Sequence, residues 1–298
     1  MRCSLIVVLF ALVVAPGCAT LRNRNPIDEE VIIARQLSQQ GVDARQDGDW
    51  TLAEERFRSA IKYCPKDHTA RVEYAECLWR RGAADDATRE LTKAIELSGG
   101  SDVDSIARLG EMLHQMGSKE SASRLVDHAL TVDPTNADAW KLHASLLRDK
   151  GELDQSLAAY HRALAYAPND AEVLAATAEI YYAGDRPHRA VAVLERVFSE
   201  TEMEFAQTRL LHLHGLALAK LKRHDEAVRS LMLARNSLQE PSASLLADLA
   251  QSQVADGQVA EAAITIDDAF RIANADDRVR LQELHHIVAS MHREQMFR

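Results

Sequence analysis

Residues 137–170 read ADAWKLHASLLRDKGELDQSLAAYHRALAYAPND, and this stretch decides the fold. Gly151 divides it into two halves, and apolar residues recur in each half at helical spacing. Small residues stand at positions 8, 20 and 27 of the stretch, and the bulky Tyr160 stands at position 24. Small side chains let two helix backbones approach closely, and a bulky one fills the space between them. The stretch therefore predicts two amphipathic helices that pack together across a turn.

The same pattern recurs along most of the chain. Aligned at residues 34, 68, 103, 137, 171, 208 and 243, seven units follow one another with spacings of 34, 35, 34, 34, 37 and 35 residues. Their eighth residues are all small, namely Gly41, Ala75, Gly110, Ala144, Ala178, Gly215 and Ala250. Their twenty-fourth residues are all large and apolar or aromatic, namely Phe57, Leu91, Val126, Tyr160, Leu194, Leu231 and Ile266. Because one helix pair cannot bury its apolar face alone, we expect the units to stack into a solenoid.

This pattern resembles the tetratricopeptide repeat over residues 34–276. The resemblance implies an all-α fold, a right-handed α-solenoid of about seven helix-turn-helix repeats whose first helices line a protein-binding groove. Turn glycines at the fifteenth position support it, namely Gly48, Gly82, Gly117, Gly151 and Gly257, whereas Asp185 and Lys222 replace this glycine in units five and six. Extra residues around Thr201 to Phe205 predict a kink in the stack. Residues 277–298 are predicted to form a C-terminal capping helix.

The N-terminal 17 residues resemble a bacterial lipoprotein signal peptide. A basic start precedes an unbroken apolar run from Leu5 to Val14, which ends in Ala15-Pro16-Gly17-Cys18. The run is well short of the roughly 20 residues that span hydrocarbon as a helix. The resemblance implies lipidation of Cys18, although Ala15 stands where the family prefers Leu, and plain secretion without lipid or an uncleaved anchor is the alternative. Residues 18–33 are predicted to form a tether and the lead-in to the first helix, without periodicity over residues 19–28.

Composition and motifs argue against several classes of function. A formal net charge of −10 disfavours a nucleic-acid partner. With 12 Gly and 7 Pro in 298 residues, the chain has too few turn residues for an all-β sandwich. The chain has no GxGxxG, P-loop, HExxH or GxSxG motif, so we expect no enzyme, cofactor or small-molecule substrate. The paired histidines His212, His214, His285 and His286 are adjacent or two apart, do not share a helix face, and predict no metal site.

Cys64 and Cys77 could form a disulfide in an exported protein or could be small packing residues. Cys77 lies nine residues inside the helix that begins near His68, which is roughly 13 Å along the helix axis. A disulfide tolerates at most about 7 Å between Cα atoms. We therefore expect the two cysteines to be unlinked.

Helical angles place a candidate binding surface on the first helix of each unit. At about 100° per residue, positions 4, 7, 8 and 11 face neighbouring helices, and positions 2, 5, 9, 12 and 13 share a separate arc, here called the first-helix face. In units one to three this face carries Arg35, Arg45, Glu76, Trp79, Arg80, Glu111 and His114. In units five to seven it carries Tyr182, Arg209, His212, Leu216, Ala219, Ala247 and Val254, so the groove is predicted to become more apolar along its length.

Trp79 is the strongest single candidate for a binding residue on this face, because Trp and Arg are typical interface hot spots. It either binds a partner or packs against the adjacent repeat. The hypothesis is that a partner segment lies in the groove, with Trp79 and Arg80 at its polar end and with Tyr182 and Leu216 at its apolar end.

Together these features predict a membrane-tethered, periplasm-facing scaffold for protein–protein interactions in cell-envelope complexes. The expected partners are a peptide or helix of another protein and, through the lipid, a membrane. A secreted soluble adaptor and an accessory subunit of an envelope enzyme, pilus or secretion machine are the alternatives. A hydrolase using a histidine cluster is a further alternative, of a different class.

Overall fold

A computed structural model describes residues 26–200 and 207–296 of the chain. In these ranges it has fifteen α-helices and no strand, which confirms the predicted all-α solenoid of helix-turn-helix repeats. The chain divides into two units, Met1–Leu97 and Ser98–Arg298. Within the described ranges, no helix is both long enough and apolar enough to cross a membrane.

The first unit holds two repeats, formed by α1 (Pro26–Gln46), α2 (Trp50–Tyr63), α3 (His68–Arg80) and α4 (Ala84–Leu97). The second unit holds five repeats, formed by α5 (Val103–Gln115), α6 (Lys119–Val132), α7 (Ala137–Asp149), α8 (Leu153–Tyr166), α9 (Ala171–Ala183), α10 (Pro187–Glu200), α11 (Thr208–Lys220), α12 (His224–Asn236), α13 (Ala243–Ala255) and α14 (Val259–Ile272). The last helix, α15 (Ala275–Met296), follows them and packs against α13 and α14. In repeats two to seven the first helix begins at the predicted first residue of the unit.

Helix α1 begins at Pro26, eight residues before the predicted unit start at Ala34. The prediction of an irregular tether is therefore wrong for residues 26–28, and the remainder of the lead-in is helical as well. Proline suits the first helical position because its φ is already helical and its missing N–H needs no partner there. Ile32 is exposed whereas Ala34 is buried, so packing begins at Ala34 although the helix does not. The predicted signal peptide, Cys18 and the predicted kink near residues 201–205 lie outside the described residues.

Small residues do stand where the helices of each repeat cross. The residues at positions 8, 24 and 27 are buried in all seven repeats, as the sequence pattern predicted. A Cβ added to Gly215 would lie 2.5 Å from Leu231 Cγ, which shows how closely α11 and α12 approach. The pattern of small and bulky residues therefore marks the positions at which the two helices of each repeat pack together.

The turn within each repeat needs a left-handed residue at position 15. Gly151 has φ +80°, and its counterparts Asp185 and Lys222 take the same left-handed region with φ of 52° and 61°. A residue with a Cβ is strained there by roughly 1–2 kcal/mol. The turn geometry is thus kept in repeats five and six at a cost in stability.

We expect Lys222→Gly to raise the free energy of unfolding by about 1 kcal/mol, because glycine relieves this strain at little steric cost. The measurement is urea unfolding followed by circular dichroism. Lys222→Ala is the matched control and should change little, since it keeps the Cβ. Equal stability of the glycine and alanine variants would contradict the explanation.

Cys64 and Cys77 are both free thiols, as predicted. Cys77 is 2% exposed, and burial together with the nearby Glu54 raises its pKa to about 11. Cys77 is therefore a packing residue that stays protonated at neutral pH.

Candidate protein-binding surface

The first helices of repeats three to six line two adjoining cavities in the second unit. Cavity I, of about 530 Å³, lies among α7 to α11 and is lined in part by Tyr160, Val173, Ala175, Val197, Arg209 and Leu210. Cavity II, of about 280 Å³, is lined mainly by α5 and α7. The two share Lys141, Ser145, Arg148 and Glu172. All residues that line cavity II except Arg108 and Leu142 occupy positions 2, 5, 9, 12 or 13. The helical-angle argument is therefore correct for this part of the first-helix face, while its role in binding stays a prediction.

Cavity I combines an apolar floor with a charged rim. Arg209, a predicted site residue, forms an ion pair with Glu179, which also lies 3.8 Å from Arg148 Nη1. Glu179 of α9 thus joins charges from α7 and α11. Because one carboxylate pairs with two arginines, this part of the rim of cavity I keeps an excess of positive charge.

Lys141, which cavities I and II share, lies among three carboxylates. Its Nζ is 3.5 Å from Asp138 Oδ1, 3.5 Å from Asp170 Oδ2 and 3.3 Å from Glu172 Oε2. Burial alone would lower the pKa of Lys141, but the three carboxylates outweigh it and raise the pKa above its usual value. Lys141 therefore stays positively charged, and the three neighbouring carboxylates already compensate its charge.

His114, another predicted site residue, lines cavity II at the end of α5. Its Nε2 lies 2.9 Å from Asp149 Oδ2, and Lys119 Nζ lies 2.7 Å from the same oxygen. Hydrogen bonds from Lys119 and His114 lower the pKa of Asp149. His114 therefore links repeat three to repeat four.

Cavity III, of about 350 Å³, lies among α9, α11, α13 and α15 and brings together the predicted residues Tyr182 and Leu216. The Lys220 Nζ lies 4.5 Å from the centroid of the Tyr182 ring. Asp248 and Arg280 also line this cavity. The prediction that the groove becomes more apolar is wrong here, because charged residues line it from position 13 (Lys220), from position 6 (Asp248) and from the last helix (Arg280).

His212, also predicted as a site residue, contacts the buried carboxylate of Asp248. Its Nε2 lies 2.7 Å from Asp248 Oδ2, and Arg280 Nη2 donates to Asp248 Oδ1 at 2.6 Å. Asp248 is only 8% exposed. A buried carboxylate requires such partners, so His212 and Arg280 hold Asp248 and connect α11, α13 and α15.

Two segments of the chain, residues 38–102 and residues 147–211, match models of the tetratricopeptide repeat. These segments are tetratricopeptide repeats. Over 230 residues the chain is 25% identical to Tetratricopeptide repeat protein 8 of Caenorhabditis elegans, a match that covers 77% of this chain and 44% of that relative. The chain therefore spans less than half the length of this curated relative.

Two solved structures share the fold of these tetratricopeptide repeats. One is Pseudomonas aeruginosa pilF, 16% identical, with a TM-score of 0.64 over 77% of this chain and 99% of that one. The other is PilW, described as a widely conserved type IV pilus biogenesis factor, 18% identical, with a TM-score of 0.61 over 73% of this chain and 96% of that one. At these identities the likeness is one of fold alone.

The first unit carries the other predicted site residues of the tetratricopeptide repeats. Arg45 Nε lies 3.3 Å from Glu73 Oε2, and the Arg80 guanidinium lies over the Trp50 ring, 4.2 Å from its centroid. Trp79 and Glu76 are half-buried on the same helix, α3. Trp79 is thus neither a core residue nor fully exposed.

Sequence reasoning missed Trp50, because it opens the second helix of its repeat, outside the first-helix face. Trp79 and Arg80 belong to the first unit, whereas Tyr182 and Leu216 belong to the second. The hypothesis that one partner segment contacts both pairs therefore stays a prediction.

Three of the four paired histidines, His212, His214 and His285, serve packing or pairing. His214 is 6% exposed, its Nδ1 lies 2.9 Å from Ser230 Oγ, and its ring meets Phe198 edge-on. His285 likewise meets Phe270 edge-on. Within residues 26–200 and 207–296, no three His, Cys, Asp or Glu side chains are grouped to hold a metal ion.

Proposed function

We propose that this protein is a non-catalytic scaffold that binds segments of other proteins on its first-helix face and holds a cell-envelope complex together. The observation that carries the proposal is the pair of adjoining cavities I and II, which are lined mainly by the first helices of four successive repeats. Cavities with an apolar floor and a few placed polar groups suit the burial of side chains from a bound segment. The likeness to PilW, a type IV pilus biogenesis factor, supports a role in assembly.

A bulky residue in cavity I should block binding. Ala175 is half-buried and lines cavity I, so Ala175→Trp fills space that a bound segment would use. We expect capture of partner proteins from detergent-solubilised membranes to fall about tenfold or more, which corresponds to the loss of one well-buried contact. Captured proteins are identified and quantified by mass spectrometry.

Ala192→Trp is the matched control, since Ala192 is exposed on α10 of the same repeat and lines none of the three cavities. It should capture partners as the wild type does, and both variants should keep their helical circular dichroism. Equal capture by the two variants would mean that cavity I is not the binding surface.

We further propose that a lipid on Cys18 tethers the protein to a bacterial membrane, with the repeats facing the periplasm. The apolar run before Ala15-Pro16-Gly17-Cys18 supports this. One acyl chain binds membranes only marginally, so the multi-acyl product that the lipoprotein resemblance implies would provide the anchor.

Cys18→Ser should move the protein from the membrane fraction to the soluble fraction, and Cys3→Ser is the control that should not. Mass spectrometry of the purified wild type should find the lipid on Cys18. Unchanged fractionation of Cys18→Ser, together with no lipid mass on the wild type, would overturn the anchor while leaving the scaffold proposal to the capture experiment.

A further inference from the structure

The lining of cavity III carries a small excess of positive charge. Its lining includes two full cations, Lys220 and Arg280, but only one carboxylate, Asp248, with His224 and Tyr182 as the remaining titratable groups. The chain as a whole has a formal net charge of −10. Cavity III is thus a locally positive place on an acidic protein, which favours an anionic group from a partner.

The carboxylate of Asp248 has little capacity left for a ligand. One oxygen accepts from Arg280 Nη2 at 2.6 Å, and the other lies 2.7 Å from His212 Nε2. Its side chain is 10% exposed. Asp248 therefore holds Arg280 in place and does not itself present a negative charge to the cavity.

Arg280 keeps donors that face outward. Its hydrogen bonds to described residues all come from Nη2, which donates to Asp248 Oδ1 and to Gln251 Oε1. The guanidinium group has five N–H donors, so the Nε and Nη1 groups retain three. The side chain is 42% exposed, which leaves these donors accessible.

Lys220 is a second donor whose present partner is easily exchanged. Its Nζ donates to Asp185 Oδ1 at 2.9 Å, and the Asp185 side chain is 84% exposed. Exposed pairs of this kind are weak because water screens both charges. The Tyr182 ring beneath Lys220 and the Leu216 side chain give cavity III an apolar wall beside the donors.

We infer that cavity III is a subsite for an acidic side chain of the bound partner segment, an Asp or Glu whose carboxylate accepts hydrogen bonds from Arg280 and Lys220. A neighbouring apolar residue of the segment packs on Tyr182 and Leu216. Charge-assisted hydrogen bonds to a carboxylate are short and strong, and arginine offers them in a planar fork. This inference rests on the proposed function and specifies the chemistry of the partner.

The probe is a phage-displayed library of random twelve-residue peptides, selected against the full chain in detergent. Selected peptides should be enriched in Asp or Glu next to an aromatic or branched apolar residue. A synthetic selected peptide should lose about tenfold or more in affinity when its acidic residue is replaced by the matching amide. Fluorescence anisotropy measures this ratio for each protein variant.

Lys220→Gln should reduce that ratio towards one, whereas Lys222→Gln, two residues away and outside the cavity III lining, should leave it unchanged. Arg280→Gln should also reduce the ratio, but it removes a partner of buried Asp248, so Lys220→Gln carries the test if α15 detaches. An acid-to-amide ratio near one in the wild type, or a ratio that Lys220→Gln leaves intact, would overturn the inference. Selected peptides that bind Ala175→Trp and Tyr182→Ala as tightly as wild type would instead overturn the proposed function.

Discussion

Lowering the pH from about 6.5 to 4 is expected to lower the free energy of unfolding by about 3 kcal/mol through His214 alone. His214 is 6% exposed, and burial, helped by the nearby Arg223 charge, lowers its pKa from 6.5 to about 4. Its Nδ1 is occupied by Ser230, while its Nε2 is buried without a hydrogen-bond partner among the described residues. Whichever nitrogen carries the proton of the neutral ring, a second proton would create a buried charge whose Nε2–H has no partner among the described residues.

The direction follows from the two pKa values. Well above pH 6.5 His214 is neutral in both the folded and the unfolded chain, so it makes no difference to stability. As the pH falls from 6.5 towards 4, the unfolded chain binds a proton that the folded chain excludes, and stability is lost. Below about pH 4 both states are protonated and the loss levels off.

Urea unfolding of wild type and His214→Asn between pH 7 and pH 4 measures this contribution. Asparagine keeps an amide near Ser230 but cannot be protonated, so the variant should lose less stability on acidification by about 3 kcal/mol. His286→Asn, a change on an exposed residue of α15, should follow the wild type. Parallel pH profiles for wild type and His214→Asn would refute the assignment.

Leu231→Ala is expected to lower the free energy of unfolding of the second unit by about 2–5 kcal/mol. Leu231 is fully buried at position 24 of repeat six, where it fills the space between α11 and α12 and belongs to one buried cluster with Leu211 and Leu249. Truncation removes its transfer free energy and leaves a cavity that the helices can close only in part. Urea unfolding monitored by circular dichroism gives the change.

Gly215→Ala tests the same contact from the opposite helix. The added Cβ would lie 2.5 Å from Leu231 Cγ and 3.2 Å from the Ala227 carbonyl oxygen, so overpacking should cost about 1–3 kcal/mol. The double variant Gly215→Ala, Leu231→Ala should lose clearly less stability than the sum of the two single losses, because truncating Leu231 leaves room for the added Cβ at position 215. Additive costs would contradict the packing described for this crossing.

Gly110→Ala is the matched control at position 8 of repeat three. Its Cβ would lie 2.7 Å from Leu142 Cδ2, a terminal methyl group that can rotate away. We therefore expect a smaller loss than for Gly215→Ala, where the clash involves the branch point of Leu231 and a backbone oxygen.

The sequence alone was enough to place the repeats and their helix pairs. Local signals mark each start, since Asp67, Asp102, Asn136, Asp170 and Ser242 cap the first helices of repeats two to five and seven through their side chains. Small residues at position 8 and bulky ones at position 24 then specify how each pair packs. These signals act within about 34 residues, so they can be read without knowing how repeats stack.

The sequence also determined which positions share the first-helix face, because a helix turns by a constant angle per residue. Which charges meet across that face was decided only by the tertiary structure. Glu179 joins Arg148 to Arg209, and Asp248 joins His212 to Arg280, across three different helices in each case. Such pairs depend on the offset between stacked repeats and on which rotamer each long side chain adopts, and neither is encoded in the spacing of residues along one helix.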